Sequence, residues 1–254
     1  MNHALQACGA HPHRPLSPLG SACNRGLDRA LLPISAWARA TGIQPHAASW
    51  GLAIVALPLV AAVASRGWVA PLALVVALLA YLRVYMPLKR RLIQGSRRKL
   101  LLDLTLFVAP AYMGLCGWGG LGLGAATDAL AFVVASGIVV LRSGCFLAGC
   151  CRGARCRVGA QYPGVEGRFV PLPLFELAVG LVLLGTAVGM CAGGAPTGTL
   201  LAPLAGVYAG YRFFSEFGRA RSGRYAVRRI GGLSMTQWLC AILTVGLLLV
   251  RGLA

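Results

Sequence analysis

The chain contains seven apolar stretches of a length that suits the core of a bilayer, at residues 49–64, 68–82, 104–125, 129–141, 172–190, 200–211 and 233–250. About 20 apolar residues span a hydrocarbon core as a helix. Two of the seven are short, but the composition supports the same solvent. Of the 254 residues, 57% are hydrophobic and only 12% are charged, and the mean hydropathy is +0.73. A soluble domain of this size could not bury so much apolar surface. Backbone polar groups must pair internally in lipid, so the segments are expected to be helices packed in one bundle. The fold class expected is all-α, a polytopic membrane helix bundle of about seven transmembrane helices. Gly117, Gly119, Gly120, Gly122 and Gly124 suit close helix packing, with a helix break as the alternative.

Residues 1–48 have no long apolar run and mix Pro, His and Arg. They read as a disordered or interfacial segment ahead of a transmembrane domain at 49–254. No basic start followed by an apolar core marks a cleavable signal peptide. The string Leu19-Gly20-Ser21-Ala22-Cys23 faintly resembles a lipoprotein cleavage box but lacks that core. No internal repeat stands out.

The formal net charge is +18, and its placement decides what it means. If the seven segments alternate in direction, residues 1–48 and the loops at 83–99, 142–170 and 216–230 share one face, with Arg212 at its edge. That face collects every Lys and Arg except Arg66 and Arg251. Basic loops are a topology signal in membrane proteins, and they attract anionic headgroups by about 1 kcal/mol per nearby cation. No nucleic-acid-binding motif or basic-aromatic interleaving is present, so no nucleic acid partner is expected.

The six acidic residues are few enough to weigh one by one. Glu176 and Glu216 lie in or beside apolar helices, where ionised groups are costly and function is the default hypothesis. Arg212, Glu216 and Arg219 are spaced four and three apart and share a helix face. They could form a structural ion-pair ladder, or two guanidinium groups oriented by a carboxylate to grip a phosphate, since the Arg fork binds phosphate oxygens in pairs. Spacing alone leaves both open. Glu176 could equally cap its helix.

Cys145, Cys150, Cys151 and Cys156 cluster after an apolar helix, but their spacing matches no usual zinc pattern. No metal is expected there. Buried unpaired thiols are the commonest outcome, with a disulfide as the alternative on an extracytoplasmic face.

Four strings, in order, carry a family resemblance. Arg142-Ser143-Gly144-Cys145-Phe146-Leu147-Ala148-Gly149 comes first. Val170-Pro171-Leu172-Pro173-Leu174-Phe175-Glu176 and Tyr211-Arg212-Phe213-Phe214-Ser215-Glu216-Phe217-Gly218-Arg219 follow. The last is Gly232-Leu233-Ser234-Met235-Thr236-Gln237-Trp238. Together they resemble signatures of the prolipoprotein diacylglyceryl transferases across about residues 126–250. Asp128, fourteen residues before Arg142, also suits the family pattern. The family's His-Gly-Gly-Leu string, expected near Leu102 and Asp103, is missing, and no histidine follows His46. Trp118-Gly119-Gly120-Leu121 has the glycines but lies too late in the chain.

The resemblance implies a bacterial enzyme of the plasma (inner) membrane, crossing it several times and needing no cofactor. Its partners would be phosphatidylglycerol, a prolipoprotein and the bilayer. The lipobox cysteine thiol would attack the glyceryl carbon and release glycerol phosphate. Arg142, Arg212 and Glu216 are the expected catalytic residues, with Arg219, Glu176, Tyr211 and Gln237 as further substrate contacts. The arginines would stabilise charge on the phosphate. Glu216 would orient an arginine or accept the thiol proton. Family topology puts the motif face outside the cytoplasm, whereas the basic loops favour the inside; the family topology is taken here, with a cytoplasmic C-terminus.

Overall fold

The computed structural model describes residues 17–88, 107–162, 165–219 and 229–253. Among them are eight α-helices: α1 (Pro18–Thr41), α2 (Pro45–Ser65), α3 (Val69–Ala80), α4 (Ala109–Trp118), α5 (Leu123–Ala148), α6 (Leu172–Ala192), α7 (Leu201–Ser215) and α8 (Met235–Leu253). A π-helical turn, Tyr81–Tyr85, extends α3 to Leu88. Four helices have the length and apolarity to cross a membrane: Pro45–Ser65, Val69–Leu88, Leu123–Ala148 and Leu172–Ala192. The chain is therefore a helical, multi-pass membrane protein.

The expected segment at 104–125 is divided. It holds α4, a turn and the start of α5, while 129–141 lies wholly inside α5. The break comes at Gly119 and Gly120. Gly120 has φ +77°, a backbone state that favours glycine. A Cβ on Gly119 would sit 2.6 Å from Val69 Cγ1. Gly122 then precedes α5 as its N-cap. These three glycines serve a turn, whereas Gly124 serves close packing, lying against the Thr197 backbone.

Interhelix contacts fit antiparallel neighbours. The start of α2 meets the end of α5, where a Cβ on Gly144 would clash with Ser49 and lie 3.1 Å from the Pro45 carbonyl. At the other end of α5, the Asp128 carboxylate accepts from the Gly198 N–H at 2.7 Å and the Leu200 N–H at 3.1 Å. It thereby satisfies donors at the entry to α7, which would otherwise lack partners. The helices pack largely through small residues, among them Ala61, Ala70, Ala77, Ala126 and Ala129. Close backbone approach of this kind replaces the hydrophobic drive that lipid does not supply between helices.

Pro18–Thr41 is helical, within the part of the chain that the sequence marks as a disordered or interfacial segment. Ser17 caps its start by accepting from the Gly20 N–H at 3.2 Å, and Gly42 ends it in the left-handed state. One face of α1 lies on a small sheet ordered β1 (Arg155–Cys156), β3 (Arg168–Phe169), β2 (Ala160–Gln161), all antiparallel. Asn24 bonds to the Arg157 carbonyl and the Gly159 N–H. Asp28 pairs with Arg168 at 2.6 Å. Leu31 is buried with Phe146 and Tyr162. A second ladder, β4 (Arg229–Ile230) with β5 (Leu233–Ser234), leads into α8.

The close approach at Gly144 generates a test. Gly144→Ala forces α2 from α5 and should cost about 1–3 kcal/mol, the usual range for overpacking, read as a lower Tm in detergent. Gly114→Ala, which meets nothing within 4 Å, should leave the Tm unchanged or slightly raised. Equal Tm values for the two variants would contradict the packing described.

A buried arginine and glutamate cluster as the candidate active site

Three helices and one loop converge on Glu176. This residue sits in the first turns of α6 and is 1% exposed. Its carboxylate contacts Arg142 of α5 and Arg212 of α7, and Arg219 approaches at 3.7 Å. Glu216, also 1% exposed, lies 3.1 Å from Arg212 and 3.2 Å from Arg219. The cluster thus holds three guanidinium groups and two carboxylates, a net charge of +1 in a site lined by helices.

Local sequence sets this arrangement. Arg212 and Glu216 are an i, i+4 pair, and Glu216 and Arg219 an i, i+3 pair. The α-helix ends at Ser215, and a 3-10 turn, Glu216–Gly218, carries the chain onward. Arg219 is then held by the loop after α5. The Ala154 N–H donates to the Gly218 carbonyl at 2.9 Å, and Gly153 bridges Arg219 in antiparallel fashion. Gly153 is required at this crossing, because a Cβ there would lie 2.9 Å from both the Gly218 oxygen and Val170.

The arginines are not equivalent. Arg212 is 4% exposed and commits Nη1 to Glu176 and Nη2 to Glu216. Arg142 and Arg219 are 16% and 18% exposed, so they form the accessible edge of the cluster. Arg212 Nε and the Tyr211 hydroxyl are among the buried donors at the cluster that make no hydrogen bond to the described residues. Tyr208, missed in the sequence, also buries its hydroxyl beside Arg142, Glu176 and Arg212. Its position four residues before Arg212, on the same helix face, was the available signal.

Gln237 lies at the start of α8. Its side-chain oxygen accepts from the Ser234 N–H at 2.9 Å, and the Ser234 hydroxyl accepts from the Gln237 N–H at 3.2 Å. This reciprocal pair is a capping box, legible as Ser-x-x-Gln at the start of α8. The remaining amide nitrogen donates to the Phe213 carbonyl at 3.1 Å. Gln237 is therefore spent on backbone, tying α8 to the residue after Arg212.

The thiol loop adjoins the cluster. Hydrogen bonds from Cys145 and Cys150 hold the Cys151 thiol below its usual range, and Arg142 and Arg219 add to this against the cost of burial. The stretch near Leu102 and Asp103, where the family's His-Gly-Gly-Leu string is expected, lies outside the described residues.

Removing one partner from a buried ion pair leaves an uncompensated charge, which typically costs about 3–5 kcal/mol. Glu176→Gln should therefore lower the Tm strongly. Arg219→Gln, at the accessible edge, should lower it less. A Tm for Glu176→Gln equal to the parent would contradict a central role for this carboxylate.

No curated protein sequence matches the chain. The model of the prolipoprotein diacylglyceryl transferase family matches residues 67–251. That range covers well over half of the chain and includes all five charged residues of the cluster. The chain belongs to the prolipoprotein diacylglyceryl transferase family.

Proposed function

We propose that this protein transfers the diacylglyceryl group of phosphatidylglycerol to the lipobox cysteine of a prolipoprotein in the plasma (inner) membrane of a bacterium. The observation that carries this reading is the buried cluster with its cationic excess and accessible edge, built from residues of the family strings. The substrate sulfur attacks the glyceryl carbon, the carbon–oxygen bond to phosphate breaks, and glycerol phosphate leaves. The thiol proton passes to the phosphate that leaves with glycerol, so that thioether and glycerol phosphate are the products.

Arg142 and Arg219 are assigned to the phosphate, because they combine full charge with partial exposure. A guanidinium stabilises the charge that grows on the leaving oxygen, and the effect is strongest where water is excluded. Arg212 is the inner member that sets the others in place. Glu176 and Glu216 orient the arginines, and Glu216 is assigned this role rather than proton transfer because two guanidiniums already engage it. Tyr211 offers a free donor to the phosphate or the acylglycerol. Gln237 acts as a positioning residue. No cofactor enters the scheme. The transmembrane domain is assigned to 49–254, with the motif face outside the cytoplasm.

A second reading is a phospholipid-binding protein without turnover, or an enzyme with another acceptor. It is favoured by one observation, the absence of any histidine after His46. Purified protein incubated with labelled phosphatidylglycerol and a lipobox peptide separates the two. The expected product is a peptide carrying thioether-linked diacylglycerol, with the rate reduced about 100-fold or more in Arg142→Ala and in Arg219→Ala, the scale of losing one charge-stabilising donor. Lipid bound without product, under conditions where an active family member turns over, would support the second reading. Product formation unaffected by both substitutions would refute the residue assignments.

A further inference from the structure

The turn after α5 brings together donors from distant parts of the chain. His46 lies in the first turn of α2, and its Nδ1 is 3.9 Å from Cys145 Sγ, although the residues are 99 apart in sequence. The ligand atoms of His46, Cys145 and Cys150 all lie within 4.8 Å of one another. Cys151 is not one of these three mutually close donors; its Sγ lies 3.9 Å from that of Cys150, and a turn of its side chain would complete the set. We propose that His46, Cys145, Cys150 and Cys151 form a structural site for a soft d10 cation of the zinc type, which clamps the start of α2 to the loop beside the arginine cluster.

Chemistry and geometry both favour this assignment. Three thiolates and one imidazole are a usual closed tetrahedral set for zinc. Tetrahedral bonds of about 2.0–2.3 Å put neighbouring donors about 3.6–3.8 Å apart, close to the two 3.9 Å separations. Such a centre would carry a charge of −1.

Two glycines make the assembly sterically feasible. Gly144 lets the first turn of α2 reach α5, which sets His46 beside Cys145. Gly149, with φ +62°, reverses the chain so that the Cys150 thiol returns to the Cys145 carbonyl at 3.8 Å. A Cβ on Gly149 would lie 2.7 Å from the Tyr162 ring. One neighbour must adjust on loading. His46 Nε2 accepts from Trp50 Nε1 at 3.2 Å, which puts the ring proton on Nδ1. Coordination through Nδ1 moves that proton to Nε2 and ends the Trp50 contact. Trp50 is half-buried.

This proposal does not depend on the transferase reading. The test uses the full chain in detergent, reduced and stripped by chelator, then titrated with Co2+. The expected result is tetrahedral cobalt absorption with a thiolate charge-transfer band, saturating at one metal per chain and abolished by Zn2+. His46→Ala and Cys150→Ser should lose the bands. Cys23→Ser and Cys191→Ser, both exposed and outside the site, should keep them. Where a substitution unfolds the protein, alkylation of the parent decides. Zn2+ should protect Cys145, Cys150 and Cys151 while Cys23 and Cys191 still react. No tetrahedral spectrum, bands that persist in both ligand variants, unprotected thiols, or a disulfide among the three cysteines in protein alkylated within its membrane would each overturn the proposal.

Discussion

The pairing of Glu176 with arginines from separate segments is the interaction on which the rest of this fold depends. A single ionised group in a helix bundle is expensive, and Glu176 can be accommodated only if its partners arrive together. Arg142 comes from α5, Arg212 from α7, and Arg219 from the segment after it. Each of those elements is therefore held in register with the first turns of α6. The pairing leaves one positive charge in excess, so the same contacts that hold the bundle prepare it for an anion.

The means of holding these elements close are backbone devices more than side-chain bulk. Gly144 and Gly153 permit approaches that any larger residue would block. Asp128 and the Ser234–Gln237 box satisfy helix ends at opposite faces of the protein. In lipid an unpaired backbone group has no water to turn to, which explains why side chains on neighbouring elements take up that task. The amphipathic α1 completes the motif face by covering the small sheet, with Asp28 on Arg168 and Asn24 on the β1–β2 turn.

Much of the cluster is legible in the sequence. The four- and three-residue spacing around Glu216 predicts the ion pairs that the structure contains, and the rarity of acidic residues draws attention to Glu176. Spacing cannot reveal that Arg212 is the inner, fully committed cation and Arg142 and Arg219 the accessible ones, because burial depends on three other elements. Gln237 also belongs to a local Ser-x-x-Gln capping pattern, which the structure contains. The helix α1 carries no long apolar run, and part of the face it turns to the sheet is polar, through Asn24 and Asp28. The division of 104–125 turned on a glycine pair that suits packing and turns equally. The His46–Cys145 contact joins residues 99 apart, beyond the reach of any local pattern.

If the accessible arginines of this cluster recognise the phosphate of an anionic phospholipid, as proposed, lipid retention should report it directly. Native mass spectrometry of the purified protein, offered phosphatidylglycerol and phosphatidylcholine with matched acyl chains, would measure preference without requiring turnover. The account predicts that the parent retains phosphatidylglycerol preferentially and that the Arg142→Gln, Arg219→Gln double variant loses this preference while remaining folded. Equal retention of both lipids by the parent, or an unchanged preference in the double variant, would contradict it.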